Sequence, residues 1–405
     1  MRKSITQPQV LAREGAVILT WYQSTPLFSG EVHGEFARFR ILRKQVNFVF
    51  GEDYQEYFLG LGPEGAHVIH DGPLEAHNRR RYTFHDDTAE SGQTYAYFIE
   101  SVSSGPIGPL PVRIRDADVW WSEESITARL EALCERAGQR ATLSICGQTA
   151  MGRKIPCLTL GDGPRTIGLV GLIHGGESGP ELIIPAMEHL LDEAPELLDH
   201  VRIVALPAVN LDARQAQVDG TPWYLRTNQQ CVDLNRNFPT HWETTEFGYG
   251  LDSSDPTAGT YRGPRPASAP ETAAVLSVFE MQRPDVVFSY HCLASICGVP
   301  ALTSRYAEQD ADFAQHAEAL LQPFARGLHP DLGYETGWLG YGCSAGSLPA
   351  WLYERYGIPA FDLEAGADPE ALQKCRVDAT DRALLEDYQL RHARALREVA
   401  TTLAT

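Results

Sequence analysis

No stretch of this 405-residue sequence approaches the roughly 18 consecutive apolar residues that a membrane-crossing helix needs. No early segment joins basic residues to a long apolar run either, so the pattern of a signal peptide is missing. The expectation is a cytoplasmic chain with no membrane partner. The first 115 residues contain no cysteine; the eight present (134, 146, 157, 231, 292, 297, 343 and 375) all come later, and none forms a C-x-x-C. The closest pair, Cys292 and Cys297, has the wrong spacing for a zinc knuckle, and the set reads as reduced thiols rather than a disulfide framework.

Positive charge is scarce. Lys and Arg number 34 against 53 Asp and Glu, a net charge of −19. Residues 1–115 hold 12 basic and 13 acidic side chains, which leaves 22 and 40 for the rest, so the later part carries −18. A surface of that sign repels phosphate backbones and argues against nucleic acid as a partner. It still permits a small anionic substrate, because arginines clustered in a cleft can invert the local potential. Repeats and low-complexity tracts are missing too. What remains, 43% apolar and 21% charged residues, is ordinary for a globular protein, and the length favours two or three domains.

Two textures divide the chain. Residues 15–22 (G-A-V-I-L-T-W-Y), 35–42, 46–50 and 94–102 (T-Y-A-Y-F-I-E-S-V) are rich in β-branched and aromatic residues, with Gly, Pro, Asp and Asn between them. That pattern predicts a small antiparallel β-sandwich over residues 1–115. Trp21 at the end of an early strand, and Tyr95 and Tyr97 ahead of S-S-G-P-I-G-P, make it resemble a fibronectin type III-like module. Residues 116–124 read as a linker, with Ser122 as a helix N-cap followed by first-turn acids.

From residue 122 to 405 the texture alternates. Helical spacing is read at residues 126–137, 181–191, 270–279, 311–324 and 381–402, and apolar strands at 166–173, 201–209, 286–290 and 358–363. Strands covered by helices on both faces read as continuous apolar runs. The second domain is therefore expected to be α/β, a three-layer α/β/α fold around a mixed, largely parallel sheet.

Three of these strands end in residues that a core would not choose. The run T-I-G-L-V-G-L-I leads into His174 and Glu177, V-V-F-S-Y leads into His291, and P-A-F-D-L leads into Glu364. Ligands in open α/β sheets collect at the carboxyl ends of strands, so these segments are expected to converge. Two imidazoles and one carboxylate form the ligand set of a catalytic zinc that keeps an open position for water. Gly175 and Gly176 are expected to supply the sharp turn that lets His174 and Glu177 approach one ion.

A second polar constellation is residues 226–238, R-T-N-Q-Q-C-V-D-L-N-R-N-F. An arginine fork matches a carboxylate bidentately and stays charged when partly desolvated, so Arg236 with Asn235 suits a substrate carboxylate. Arg226 suits a developing oxyanion; the plainer alternative pairs an arginine here with Asp233 for structure.

His174-Gly-Gly-Glu177, Arg226, Asn235-Arg236, His291 and Glu364, in this order, resemble the zinc carboxypeptidase family. So do their separations, with 113 residues between Glu177 and His291 and 72 between His291 and Glu364. The resemblance covers residues 125–390 and leaves out the sandwich. It implies one Zn²⁺ on His174, Glu177 and His291, Glu364 as general base toward water, Arg226 at the oxyanion, and Asn235 and Arg236 on the terminal carboxylate of a peptide-like substrate. A mobile tyrosine accompanies such sites; Tyr341, 23 residues before Glu364 and followed by S-A-G-S, is preferred over Tyr334.

Within that family, I-H-G-G-E-S-G and L-G-Y-E-T look more like murein peptide amidases, which cleave the γ-D-glutamyl bond to diaminopimelate, than like digestive enzymes. Leu348, Pro349 and Ala345 offer no acid to a basic side chain, which disfavours strict basic specificity. Two alternatives stay open: an N-acyl amino acid deacylase of the aspartoacylase type, which shares H-x-x-E and D-L-N-R, and a non-catalytic binding protein whose working part is the sandwich. Homo-oligomerisation is open as well.

Overall fold

The computed structural model describes residues 4–13, 15–24, 36–46, 54–77, 80–102, 104–244, 247–248, 250–251, 253–291, 301–329, 338–364 and 382–405. Tyr334, Cys292, Cys297 and Cys375 lie outside these. The chain forms two compact units, Met1–Trp120 with Ala216–Tyr224, and Trp121–Gln215 with Leu225–Thr405.

In the first unit, β1 (Ser4–Arg13), β2 (Ala16–Ser24) and β5 (Arg81–Asp86) form one antiparallel sheet in the order β1-β2-β5. The other sheet holds β4 (His67–Glu75), β3 (Phe36–Gln45), β6 (Thr94–Ser101) and β7 (Ser104–Arg113) in the order β4-β3-β6-β7. Every second residue points inward: Val17, Leu19 and Trp21 from β2, Phe39 and Ile41 from β3, and Tyr95, Tyr97 and Ile99 from β6 share one core. The Trp21 ring meets Phe39 edge-on at 5.0 Å and stacks on Tyr82 at 6.1 Å. The expected β-sandwich is thus present. The strand anticipated at residues 35–42 is β3, which runs on to Gln45; Val46 lies beyond its end, and the rest of the strand anticipated at 46–50 lies outside the described residues.

Residues 216–224 belong to this unit through backbone pairing. Ala12 N donates to Asp219 O at 2.8 Å and Arg113 N to Gly220 O at 2.8 Å, while Arg115 Nη1 donates to the carbonyls of Gln217 and Thr221. Gly220 has φ +114°, and a Cβ there would run into Val112 and Ala12, so glycine is required for the loop to come this close.

The second unit is built on an eight-stranded sheet. Its strands are β8 (Ala141–Gln148), β9 (Lys154–Leu160), β10 (Arg165–Gly171), β11 (Val201–Leu206), β12 (Val286–Tyr290), β13 (Ala301–Ser304), β14 (Leu339–Cys343) and β15 (Ala360–Leu363). The order is β14-β13-β15-β12-β10-β11-β9-β8. The four central strands β15, β12, β10 and β11 run parallel, and antiparallel pairs occur toward the flanks. The expected mixed α/β sheet is found. The β8-β9 hairpin was not anticipated, and β11 stops at Leu206 rather than residue 209.

Helices cover both faces. Val287 of β12 packs in one cluster with Val275 and Phe279 of Pro270–Gln282 and with Leu348, Trp351 and Leu352 of Leu348–Tyr356. Phe288 and Tyr290 point the other way, onto Phe324 of Ala311–Leu328 and His392 of Arg382–Ala404. Full burial of each large apolar side chain stabilises by about 1.5–3 kcal/mol, which keeps the strand ends in fixed register. The helix Glu123–Ala137 begins as its sequence suggests, with the Ser122 side chain accepting from Ser125 N at 3.2 Å and Glu123 and Glu124 at the positive end of the dipole.

Candidate metal centre

The sheet sets the site. Gly171 of β10 pairs with Tyr290 of β12, and Tyr290 pairs with Leu363 of β15, so three neighbouring parallel strands end side by side. His174 lies three residues past β10, His291 one past β12 and Glu364 one past β15. His291 N donates to Leu363 O at 3.1 Å, which fixes the residue before Glu364 against the histidine.

Past β10 Leu172 takes φ +53°. The expected sharp turn is at the glycines: Gly175 and Gly176 are its central residues, and Glu177 N donates across it to His174 O at 3.2 Å. Gly175 is needed for close approach, since a Cβ there would overlap Ala213 and stand 2.7 Å from Arg214 N. Gly176 N donates to Leu225 O at 3.1 Å, and the buried Arg214 guanidinium donates to the carbonyl of Glu177.

This loop brings His174 Nδ1 to 3.0 Å from Glu177 Oε1, and β12 brings His291 Nδ1 to 3.1 Å from Glu177 Oε2. All three residues are buried, and their ligand atoms lie within 4.8 Å of one another. Each Nε2 faces a further buried acid: His174 Nε2 is 3.2 Å from Asp233 Oδ1, and His291 Nε2 is 3.2 Å from Asp362 Oδ1. Burial disfavours charge on Glu177, yet the two imidazoles pull its carboxyl well below the usual range. Burial likewise opposes charge on His291, but Asp362 and Glu177 raise it well above an ordinary imidazole. Three buried carboxylates thus converge on two imidazoles and call for positive charge. A divalent ion fits that demand, and the imidazole, imidazole, carboxylate donor set suits zinc.

Asp233 also explains Arg226. Arg226 Nε donates to Asp233 Oδ2 at 2.8 Å while Asp233 Oδ1 faces His174, so pairing with Asp233 and nearness to the metal group hold together. Burial would raise the Asp233 carboxyl, but Arg226, His174 and Arg236 bring it below the usual range. Asn235 is buried with its amide engaged, Nδ2 donating to Asp362 Oδ2 at 2.8 Å and Oδ1 accepting from Leu348 N at 3.0 Å. Arg236 is buried beside it, with Nη1 donating to Asn235 O at 2.9 Å. Arg236, Asp362 and Glu364 all act electrostatically on the buried thiol of Cys343, so these groups share one neighbourhood.

Tyr341 stands apart from this group on the edge strand β14. Burial, then the charges of Glu318, Glu308 and Asp310, push its hydroxyl up. His241 stacks on Tyr306 at 3.9 Å and lies 3.4 Å from Glu354. Sequence reasoning passed over Asp362 and Ser289, whose Oγ is 3.2 Å from His291 Nε2. An acid inside the buried run A-F-D-L was the available signal, since carboxylates are rarely buried without a partner.

Residues 126–384 match the family described as zinc carboxypeptidase. The chain belongs to the zinc carboxypeptidase family. Within that family it is 29% identical over 250 residues to murein peptide amidase A of Vibrio campbellii, covering 60% of this chain and 87% of that protein. It is 28% identical over 137 residues to mouse carboxypeptidase M, covering 30% of this chain but only 31% of that relative, less than two thirds of its length. Among solved structures, carboxypeptidase A from Helicoverpa armigera superposes with a TM-score of 0.58 at 16% identity, covering 93% of this chain and 99% of that one, a likeness of fold. Among the described residues, no helix is long and apolar enough to cross a membrane.

Proposed function

We propose that the chain is a zinc-dependent metallocarboxypeptidase or peptide amidase that hydrolyses an amide bond next to a free carboxylate. The observation that carries this is the buried group His174, Glu177 and His291, with both histidine Nδ1 atoms near Glu177 and with Glu364 following β15, the parallel neighbour of the strand that leads to His291. Zinc held there would polarise the scissile carbonyl and acidify water.

The chain's own residues supply the remaining chemistry. Glu364 accepts a proton from the attacking water and passes it to the leaving amine. Arg226, oriented by Asp233, faces the negative charge that develops on the carbonyl oxygen. Arg236 receives the substrate carboxylate with Asn235 beside it; because the Asn235 amide is already committed to Asp362 and Leu348, its main part is to hold that wall in place. A part for Tyr341 would require movement from its place on the edge strand, where Glu318, Glu308 and Asp310 are its charged neighbours. The extent of the match to murein peptide amidase A favours a peptide of the cell-wall type, with a γ-D-glutamyl bond to diaminopimelate.

A side-by-side assay of a C-terminal peptide panel, a γ-D-glutamyl-diaminopimelate peptide and N-acyl-aspartate tests this reading. Turnover of the γ-D-glutamyl peptide or of a panel member is expected. Turnover of the acyl-aspartate alone would replace the proposal with a deacylase.

A further inference from the structure

We propose that Asp362 is a positioning residue of the metal centre, holding His291 in the ring state that offers Nδ1 to the ion, and that Asn235 holds Asp362. The proposal rests on reading His174, Glu177 and His291 as the zinc ligands.

A neutral imidazole carries one ring proton, so Nδ1 can be the ligand atom only if that proton sits on Nε2. Two groups face His291 Nε2, Ser289 Oγ at 3.2 Å and Asp362 Oδ1 at 3.2 Å. A hydroxyl both donates and accepts, so Ser289 does not select a tautomer. A carboxylate only accepts, so Asp362 does.

The orientation of Asp362 is itself fixed. Its Oδ2 accepts from Asn235 Nδ2 at 2.8 Å and from Cys343 Sγ at 3.3 Å. Its Oδ1 is buried and has no hydrogen-bond partner among the described residues, and it lies 3.2 Å from His291 Nε2, which leaves it to the imidazole. Asn235 cannot flip, because its Oδ1 accepts from Leu348 N at 3.0 Å and only its amino group can then face Asp362. A relay runs from the start of the helix Leu348–Tyr356 through Asn235 and Asp362 to His291. It matches the arrangement on the other side, where Arg226 holds Asp233 and Asp233 faces His174. Such outer partners orient metal-bound histidines and raise their basicity. The wall assigned to the substrate carboxylate and the third metal ligand therefore share one buried acid.

The test is zinc affinity of the full-length protein, measured by competition with a chromophoric chelator. The thermal midpoint of the zinc-free protein serves as the folding control, and the visible spectrum of the cobalt-loaded protein reports ligand geometry. Asp362→Asn is expected to raise the zinc Kd roughly 10–100-fold, with a zinc-free midpoint close to wild type and an altered cobalt spectrum. Asn235→Ala is expected to weaken zinc in the same direction by less. Folded Asp362→Asn with wild-type zinc affinity overturns the proposal; should that variant not fold, unchanged affinity in Asn235→Ala overturns it. Wild type that binds no zinc overturns it together with the ligand reading beneath it. Because affinity is read without turnover, a zinc-binding wild type that hydrolyses nothing counts against the proposed reaction alone.

Discussion

His174 and His291, with ring centroids 5.0 Å apart, turn their Nδ1 atoms to different oxygens of Glu177 and their Nε2 atoms toward different buried aspartates. The two rings have the same outlook on a single carboxylate. That arrangement leaves one location for an ion and governs the first two expectations.

Zinc removal should unfold the protein more easily as well as stop the proposed reaction. An ion that binds only the folded state stabilises it by about 2.7 kcal/mol at 100 times its Kd. Calorimetry with and without 1,10-phenanthroline should show a lower midpoint in the chelated sample, restored by added zinc. Equal midpoints for zinc-loaded and chelated protein would contradict a resident ion.

Glu364→Gln separates binding from chemistry. The amide cannot take a proton from water, so hydrolysis should fall by a factor on the order of 10² or more while zinc remains stoichiometric. Wild-type turnover in this variant would show that another group is the base.

Gly175→Ala tests the loop. The added methyl has nowhere to go between Ala213 and Arg214, so the His174 to Glu177 segment must move. Zinc affinity should drop at least tenfold, on the scale of other losses of ligand orientation, with β10 and its neighbours intact by circular dichroism. An unchanged affinity would mean that the loop absorbs the methyl elsewhere.

Acid sensitivity should trace to His392. Its ring is fully buried among Tyr290, Phe324 and Tyr388, and neither nitrogen has a hydrogen-bond partner among the described residues. Burial first, then the charge of His329, pushes its pKa from 6.5 down to about 3. The folded value lies below the unfolded one, so the neutral ring's contribution is complete above pH 6.5 and is lost as pH falls toward 3. The slope is at most about 1.4 kcal/mol per pH unit. His392→Phe should flatten the fall in denaturant midpoint between pH 7 and pH 5; parallel curves for variant and wild type would assign the sensitivity to other groups.

The metal group was legible because apolar strands broke off at His174, His291 and Glu364, and strand ends are where α/β sheets gather ligands. The sandwich was legible from its alternating aromatic and β-branched strands. The hairpin β8-β9 was hidden because Ala141–Gln148 is an edge strand, exposed along much of its length and carrying little apolar signal. The helix Leu348–Tyr356 did carry a sign, since Ser347 caps it and Pro349 follows in its first turn. The part of Asp362 could not be read from its neighbours in the sequence. Its partners, His291, Asn235 and Cys343, come from three distant segments and meet only through the sheet order.

Residues 216–224 interrupt the second unit and yet belong to the first. Ala12 and Arg113 would lose the carbonyls of Asp219 and Gly220 if either stretch were exchanged alone, leaving backbone donors to find new partners. The sandwich is therefore not an appendage that fusion or loss at one terminus could add or remove cleanly. Removal of residues 1–115 alone would likewise strip the carbonyls of Asp219 and Gly220 of the donors Ala12 N and Arg113 N.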